Sequence, residues 1–212
     1  MRPKDIVTKG YDKISQLYND ERARSFWHTD AEVDTFSKCM PVGARVLDVG
    51  CGSGLVSSTL QQNGFRVTGI DVSEKMIELA RKNSPASTFR LMDMRRLRFL
   101  PNSFDGVIGL YSIIHVPRRF HLGVLRGFRR VLKSKGFLAI HMGWGDYVGV
   151  EENWHGWGAA LYWSHFDKEA NLALLRKAGF QVVSSRRSGQ KDGVHLFVIA
   201  QKPFEADQLR RS

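Results

Sequence analysis

The stretch VLDVGCGSG, Val46 to Gly54, decides how the rest of the chain is read. An apolar run broken by Asp48 leads straight into glycines at alternate positions, Gly50, Gly52 and Gly54. The apolar part reads as a short strand. SGLVSSTLQQNG reads as the helix it feeds, with Leu55, Val56, Thr59 and Leu60 on one side and Gly64 as the stop. Glycines at such a turn remove side chains, so backbone can approach a ligand closely and take φ values that other residues avoid. The helix start behind them offers N–H groups without intrahelical partners. FRVTGID follows as a second strand ending in Asp71, about 20 residues further on, where a carboxylate can grip ribose hydroxyls. The physical inference is an adenosine-containing cofactor.

The rest of the chain extends this pattern in both directions. Upstream, YDKISQLYNDERARSFW places Tyr11, Ile14 and Tyr18 on one face of an amphipathic helix. Downstream, Ser73 caps a helix carrying Met76, Ile77 and Ala80. STFRLMD and SFDGVIGLYS read as strands three and four. PRRFHLGVLRGFRRVLKSKG reads as one long helix with Val124, Phe128, Val131 and Leu132 inward, before a fifth strand, FLAIHMG. Residues 144–166 read as a long aromatic connection, and Asp167 caps the next helix. FQVVSS and HLFVIAQKP close the chain as strands, and the short turn GQKDG between them makes that pair antiparallel. The expected fold is α/β: a Rossmann-like, doubly wound, seven-stranded, mostly parallel sheet with an antiparallel last strand and helices on both faces. Residues 1–40 form a helical lid segment, 41–203 the core with an aromatic insertion at 144–166, and 204–212 a tail. Ligands then belong on the loops after the strands: 48–54, 71–73, 92–95, 110–117 and 142–166.

Length and composition fit one ordinary globular domain, with 212 residues, 42% hydrophobic and 25% charged. No apolar run approaches the roughly 20 residues of a membrane span, and MRPKDIVTKG lacks the apolar core of a signal peptide. A cytoplasmic protein without a membrane partner is the expectation. Cys39 and Cys51 make no disulfide framework and read as reduced thiols. The net charge is +11, with basic residues gathered in DMRRLRF, the long helix and SSRRSG. Such a surface attracts nucleic acid or other anions, or is simply a solvated helix face.

The glycine pattern is G-x-G-x-G, and Leu55 stands where the dinucleotide fingerprint G-x-G-x-x-G needs its third glycine. Asp48 beside the loop would repel a pyrophosphate and would suit a ligand bearing an ammonium and a sulfonium group. Here the sequence resembles the class I S-adenosylmethionine-dependent methyltransferases, whose first motif is acid-x-Gly-x-Gly-x-Gly; DVGCGSG matches it in full. SIIHVPRR and YWSHFDKEANLALLRKAGF resemble the small-molecule, metal-independent, methyltransferase type 11-like group. The resemblance implies S-adenosylmethionine as cofactor. It implies that Gly50, Cys51, Gly52 and Gly54 floor its methionine and ribose parts, and that Asp48 helps hold the amino acid end. Asp71 then takes the ribose hydroxyls, Val72 and Met76 flank the adenine, and Asp93 and Met94 meet its amine and ring. Leu110 and Tyr111 border the methionine end, and Tyr11 closes over the top.

Methyl transfer from a sulfonium is an in-line displacement with a good leaving group, so positioning supplies much of the catalysis. A base is needed only where the acceptor carries a proton that must leave. His115, after strand four at the cleft, is the candidate base, with a structural role in its loop as the alternative. LYSIIH stands where base- and glutamine-modifying relatives carry an Asn/Asp-Pro-Pro-aromatic motif, and no cluster of acids suggests a metal. Trp144, Trp154, Trp157, Tyr162 and His165 are the candidate acceptor residues, because aromatic walls hold planar or cationic molecules, or else pack as a hydrophobic lid. The function expected is transfer of a methyl group to O or N of a small, aromatic or amine-bearing acceptor, by a monomer or homodimer. The alternatives are a tRNA or rRNA methyltransferase, prompted by the charge, and a non-catalytic S-adenosylmethionine-binding subunit or scaffold.

Overall fold

The computed structural model describes residues 1–23, 29–189 and 193–204. The C-terminal part of the first predicted helix (24–28), the centre of the GQKDG turn (190–192) and the tail from 205 lie outside the described residues. The chain forms α1 (Pro3–Ala23), α2 (Asp30–Ser37), β1 (Arg45–Val49), α3 (Leu55–Gln62), β2 (Arg66–Asp71), α4 (Glu74–Asn83) and β3 (Thr88–Leu91). It continues through β4 (Phe104–Gly109), α5 (His121–Val131), β5 (Leu132–Gly143), β6 (Tyr147–Glu151), β7 (Leu161–His165), α6 (Lys168–Lys177), β8 (Gln181–Ser188) and β9 (His195–Gln201).

Seven strands make one sheet in the order β3-β2-β1-β4-β5-β9-β8. The first five run parallel, and β9 runs antiparallel to both neighbours. After β1 the chain winds outward through β2 and β3, then returns to place β4 on the other side of β1. That reversal opens a crevice beyond the carboxyl ends of β1 and β4. Both sheet faces are covered. Leu47, Val107, Leu138 and Ile140 pack towards α5 and α6, while Val46, Ile108, Ala139 and Phe197 pack towards α2 and α3. This double burial explains why the central strands read as continuous apolar runs.

Two segments differ from the sequence reading. The long helix ends at Val131, not within LKSKG, and starts only at His121 after a 3₁₀ turn at Arg118–Phe120. Leu132 is fully buried and already extended, pairing with Phe104, and Lys135 turns the chain at φ 62° before the main β4–β5 pairing resumes at Phe137. Tertiary burial of Leu132 overrides a helical period that fits equally well. The aromatic connection is also structured. β6 and β7 form a separate antiparallel hairpin, with Gly149 opposite Trp163, closed by a 3₁₀ turn at Trp154–Gly156. Its sequence signal is two runs, YVGVE and LYWSH, rich in β-branched and aromatic residues and flanking a Gly- and Asn-bearing turn.

Candidate functional site

The glycine loop is built on β2. The N–H groups of Gly50 and Cys51 donate to the Ile70 carbonyl at 2.8 and 3.0 Å, which draws the loop across the crevice. Gly52 has φ 52°, and a Cβ there would point into open space, 3.8 Å from the Tyr18 ring. Asp71 ends β2 and binds the loop from the other side: it accepts from Gly52 N–H at 3.0 Å and from Ser73 N–H at 2.9 Å. Gly54 has a different duty from the floor assigned to it. It opens α3 at φ 82°, and a Cβ there would meet Ala80 Cα at 2.8 Å, so it serves the packing of α3 on α4.

Above this loop lies a groove enclosing about 790 Å³, part of it open to solvent. Gly50, Gly52, Asp71, Val72, Met76, Asp93, Met94, Leu110, Tyr111, Tyr11 and His115 all line it, as does Tyr18 from the same helix face as Tyr11; Lys4 and Ser112, which the sequence reading did not single out, line it too. A narrower recess of about 380 Å³ continues from it past Gly50 and Gly52. Asp48 and Cys51 line this recess together with Arg22 from the last turn of α1. Burial pushes the Asp48 carboxyl up to about 7, against a bond from Ser57 Oγ at 2.7 Å that favours its charge. Burial likewise drives the Cys51 thiol well above its usual range, so it stays protonated and unreactive. Arg22 was missed because nothing in NDERARSFW distinguishes it from a solvated arginine; only the path of α1 brings it to Asp48.

Asp93 opens the 3₁₀ turn Met94–Arg96 by accepting from Arg95 N–H, and its carboxylate pairs with the Arg95 guanidinium at 2.6 Å and with Lys4 at 3.4 Å. Burial raises this carboxyl, and the Arg95 bonds outweigh it, holding it below the usual carboxylate range.

α1 roofs the groove and is fastened by polar contacts along its length. Asp12 Oδ1 accepts from Ser73 Oγ at 2.6 Å and Lys75 N–H at 3.3 Å, while Ser73 Oγ accepts from Met76 N–H at 3.0 Å. Asp12 therefore joins Ser73 in capping α4. Asn83 Nδ2 donates to Asn19 Oδ1 at 2.7 Å and to the Ser53 carbonyl at 2.8 Å. Lys13 reaches the Gly158 carbonyl at 2.5 Å.

His115 is buried beneath α1. Its Nδ1 lies 2.8 Å from the Tyr162 carbonyl and its Nε2 lies 2.9 Å from the Tyr11 hydroxyl. A carbonyl only accepts, so Nδ1 carries the proton and Nε2 accepts from Tyr11. Burial pushes the imidazole down to about 4, and burial together with the nearby Tyr18 and Asp71 raises the Tyr11 phenol well above 10. Both groups are neutral near pH 7.

None of Trp144, Trp154, Trp157, Tyr162 and His165 faces the groove. They stand one layer behind it. Trp154 packs edge-on against Tyr11 at 6.3 Å and against Trp157 at 5.2 Å, and Trp163 packs on His115 at 4.5 Å. Tyr162 contributes its carbonyl to His115, His165 binds the Gly145 carbonyl at 2.6 Å, and Trp144 lies under Lys168 at 5.7 Å. Among the described residues no three His, Cys, Asp or Glu side chains are placed to hold a metal ion.

The sequence profile of a methyltransferase domain family matches residues 46–136. An ubiquinone biosynthesis O-methyltransferase of Chromobacterium violaceum is 31% identical over 217 aligned residues, covering 94% of this chain and 79% of that protein. The chain belongs to the class I S-adenosylmethionine-dependent methyltransferases. Another relative in this family is the 27-O-demethylrifamycin SV methyltransferase of Amycolatopsis mediterranei, 31% identical over 68% of this chain and 59% of its own length. The chain spans about half the length of several curated relatives, or less. A 1,6-didemethyltoxoflavin-N1-methyltransferase of Burkholderia thailandensis, solved with S-adenosylhomocysteine, shares the fold at a TM-score of 0.71 and 20% identity, over 92% of this chain and 88% of that one.

The geometry is compatible with the family's cofactor. The groove has a glycine floor, Asp71 presents a half-buried carboxylate to it at the end of β2, and Met76 and Met94 share its lining. The recess brings a carboxyl and a guanidinium together, as the zwitterionic end of an amino acid requires.

Proposed function

We propose that the protein transfers a methyl group from S-adenosylmethionine to a hydroxyl oxygen of a small acceptor. S-adenosylmethionine supplies the electrophilic methyl on a sulfonium centre. The chain's part is to orient the two reactants, exclude water and take the acceptor's proton. Asp71, positioned by the Gly52 and Ser73 N–H groups, fixes the ribose; Asp48 and Arg22 take the ammonium and carboxylate of the methionine end. Cys51 only fills space beside them.

The observation that carries the choice of a hydroxyl is the Tyr11–His115 pair, at 2.9 Å on the groove wall. An acceptor O–H approaching Tyr11 can pass its proton to the phenol oxygen while the phenol proton moves to His115 Nε2. The step balances: one O–H breaks at the acceptor, Tyr11 gains one proton as it gives up another, and one N–H forms on the imidazole, whose positive charge replaces the one lost at sulfur as the S–C bond gives way to the new C–O bond. A base with a pKa of about 4 is weak towards a resting phenol. It suffices once the oxygen has begun to bond carbon, because that oxygen becomes strongly acidic in the transition state. The aromatic layer of Trp154, Trp157 and Trp163 holds Tyr11 and His115 in register and keeps water from them. The O-methyltransferase names of the relatives support the same reading.

Calorimetry with S-adenosylmethionine, followed by measurement of S-adenosylhomocysteine release over matched hydroxyl and amine acceptors, tests it. Binding with product from hydroxyl acceptors is expected. No heat would sink the reading outright, and product from amines alone would remove the role given to Tyr11 and His115.

A further inference from the structure

The net charge of +11 is unevenly placed. The parallel strands all begin at one pole of the sheet and β9 ends there, while the cofactor groove occupies the other pole. The starting pole carries exposed Arg45 and Arg66 at the heads of β1 and β2, and Lys135 at the turn into the paired part of β5. Beside them an open cleft of about 750 Å³, part of it solvent, is lined by Arg126, Arg129, Arg130 and Lys202, with no carboxylate among the described residues that line it. The acid at the head of β4, Asp105, is taken up by Lys133 Nζ at 2.6 Å and Arg45 N–H at 2.8 Å.

Cations at helix ends have an ordinary explanation, since they offset the negative end of the helix dipole. Arg129 and Arg130 do bind the carbonyls of Gly179, Phe99 and Leu97. That does not account for what stands among them. Val42, in the turn before β1, is 80% exposed, and Leu100, in the turn before β4, is 79% exposed. Phe204, just past β9, is 60% exposed with Lys135 Nζ 5.2 Å above its ring. Bulky apolar tips in water, ringed by cations, serve no purpose towards a nucleic acid backbone, which engages the cations alone. A lipid surface engages both: headgroups meet the cations, and apolar tips enter the acyl boundary.

We propose that this pole docks onto an anionic membrane surface, with Val42, Leu100 and Phe204 entering the interface and the surrounding arginines and lysines facing the headgroups. No helix among the described residues is long and apolar enough to cross a membrane; a contact of this kind needs none. The docked protein would turn its groove away from the bilayer, so the acceptor would arrive from the aqueous side.

Sedimentation of the full chain with vesicles tests this. One set is phosphatidylcholine alone; the other also contains phosphatidylglycerol, at about a third of the lipid. Pelleting with the anionic vesicles only, weakening as salt rises, is expected. Val42→Ser with Leu100→Ser should weaken it ~10-fold, and Arg126→Glu with Lys135→Glu by at least as much. Filter retention of bulk tRNA should be unchanged by the serine pair. All four sites are exposed, and an unchanged melting temperature checks that each variant is folded. No pelleting with anionic vesicles at low salt overturns the proposal. So does serine-pair binding equal to that of the parent, which would mark a purely electrostatic surface of the kind RNA uses.

Discussion

Acidification should destabilise this protein at pH values well above the range in which ordinary exposed carboxylates titrate. His115 and His121 are buried, and both are held down to about 4 by that burial. In the unfolded chain each imidazole takes its proton near 6.5. As the pH falls through 6.5 the unfolded state therefore gains protons that the folded state refuses, and stability drops until the folded imidazoles titrate near 4. At about pH 5 each costs on the order of 2 kcal/mol relative to about pH 7.5. His141 is fully buried and is also pushed well down by burial and by the nearby His195 and Arg186, so it acts in the same direction. Asp48 works against them. Its folded carboxyl takes a proton near 7 and its unfolded one near 3.8, so acidification through that window stabilises the fold by roughly 3 kcal/mol. His195, held down to about 4 by burial, costs about as much as His115 or His121, so with Asp48 subtracted the net loss is roughly 3 kcal/mol, a large share of the ~5–15 kcal/mol of a typical domain. Urea titration followed by circular dichroism should place the midpoint at about pH 5 lower by ~1 M than at about pH 7.5. His115→Asn should recover part of the difference, and imidazole NMR should show His115 and His121 still neutral at about pH 5. A midpoint that holds or rises on acidification would refute the burial argument on which the neutral Tyr11–His115 pair depends.

Three further outcomes are expected. Asp71→Ala removes the acceptor for Gly52 and Ser73 N–H groups and should weaken S-adenosylmethionine binding by ~30-fold or more in calorimetry. Unchanged affinity would misplace the ribose. Arg22→Gln should cost S-adenosylmethionine ~10-fold while leaving adenosine binding intact, and equal losses for both would place Arg22 outside the methionine recess. Asp12→Ala uncaps α4 and releases α1, so limited proteolysis should cut α1 several-fold faster at a cost of ~1 kcal/mol in global stability; identical cleavage rates would show that packing alone holds the roof.

The fold was open to reading because its signals are local. The apolar run ending at Val49, the Ser73 and Asp167 caps and the turns at Gly64 and Gly179 are each set by a few neighbouring residues. The same holds for Gly50, Gly52 and Asp71, whose spacing along one strand-turn-helix unit fixes their meeting. The features that escaped depend on distant parts of the chain. Leu132 leaves its helix because Phe104 is there to pair with it. Arg22 meets Asp48 only through the course of α1. Trp154 and Trp157 read equally as a wall in contact with ligand or as a hydrophobic lid, and clustering with Ile14 and Leu161 sets them behind Tyr11 and Tyr18, as a lid. A run of tryptophans in a sequence reports apolar surface to be covered, and does not say by what.

The way α1 is stitched down also governs exchange. On the proposed reading, the groove grips the nucleoside and amino acid portions, and no fastening of the roof depends on whether the sulfur still bears its methyl. Spent and fresh reagent would be sealed in with similar residence times. The pace of the enzyme would then follow the ratio of the two in its surroundings more than the speed of the chemical step.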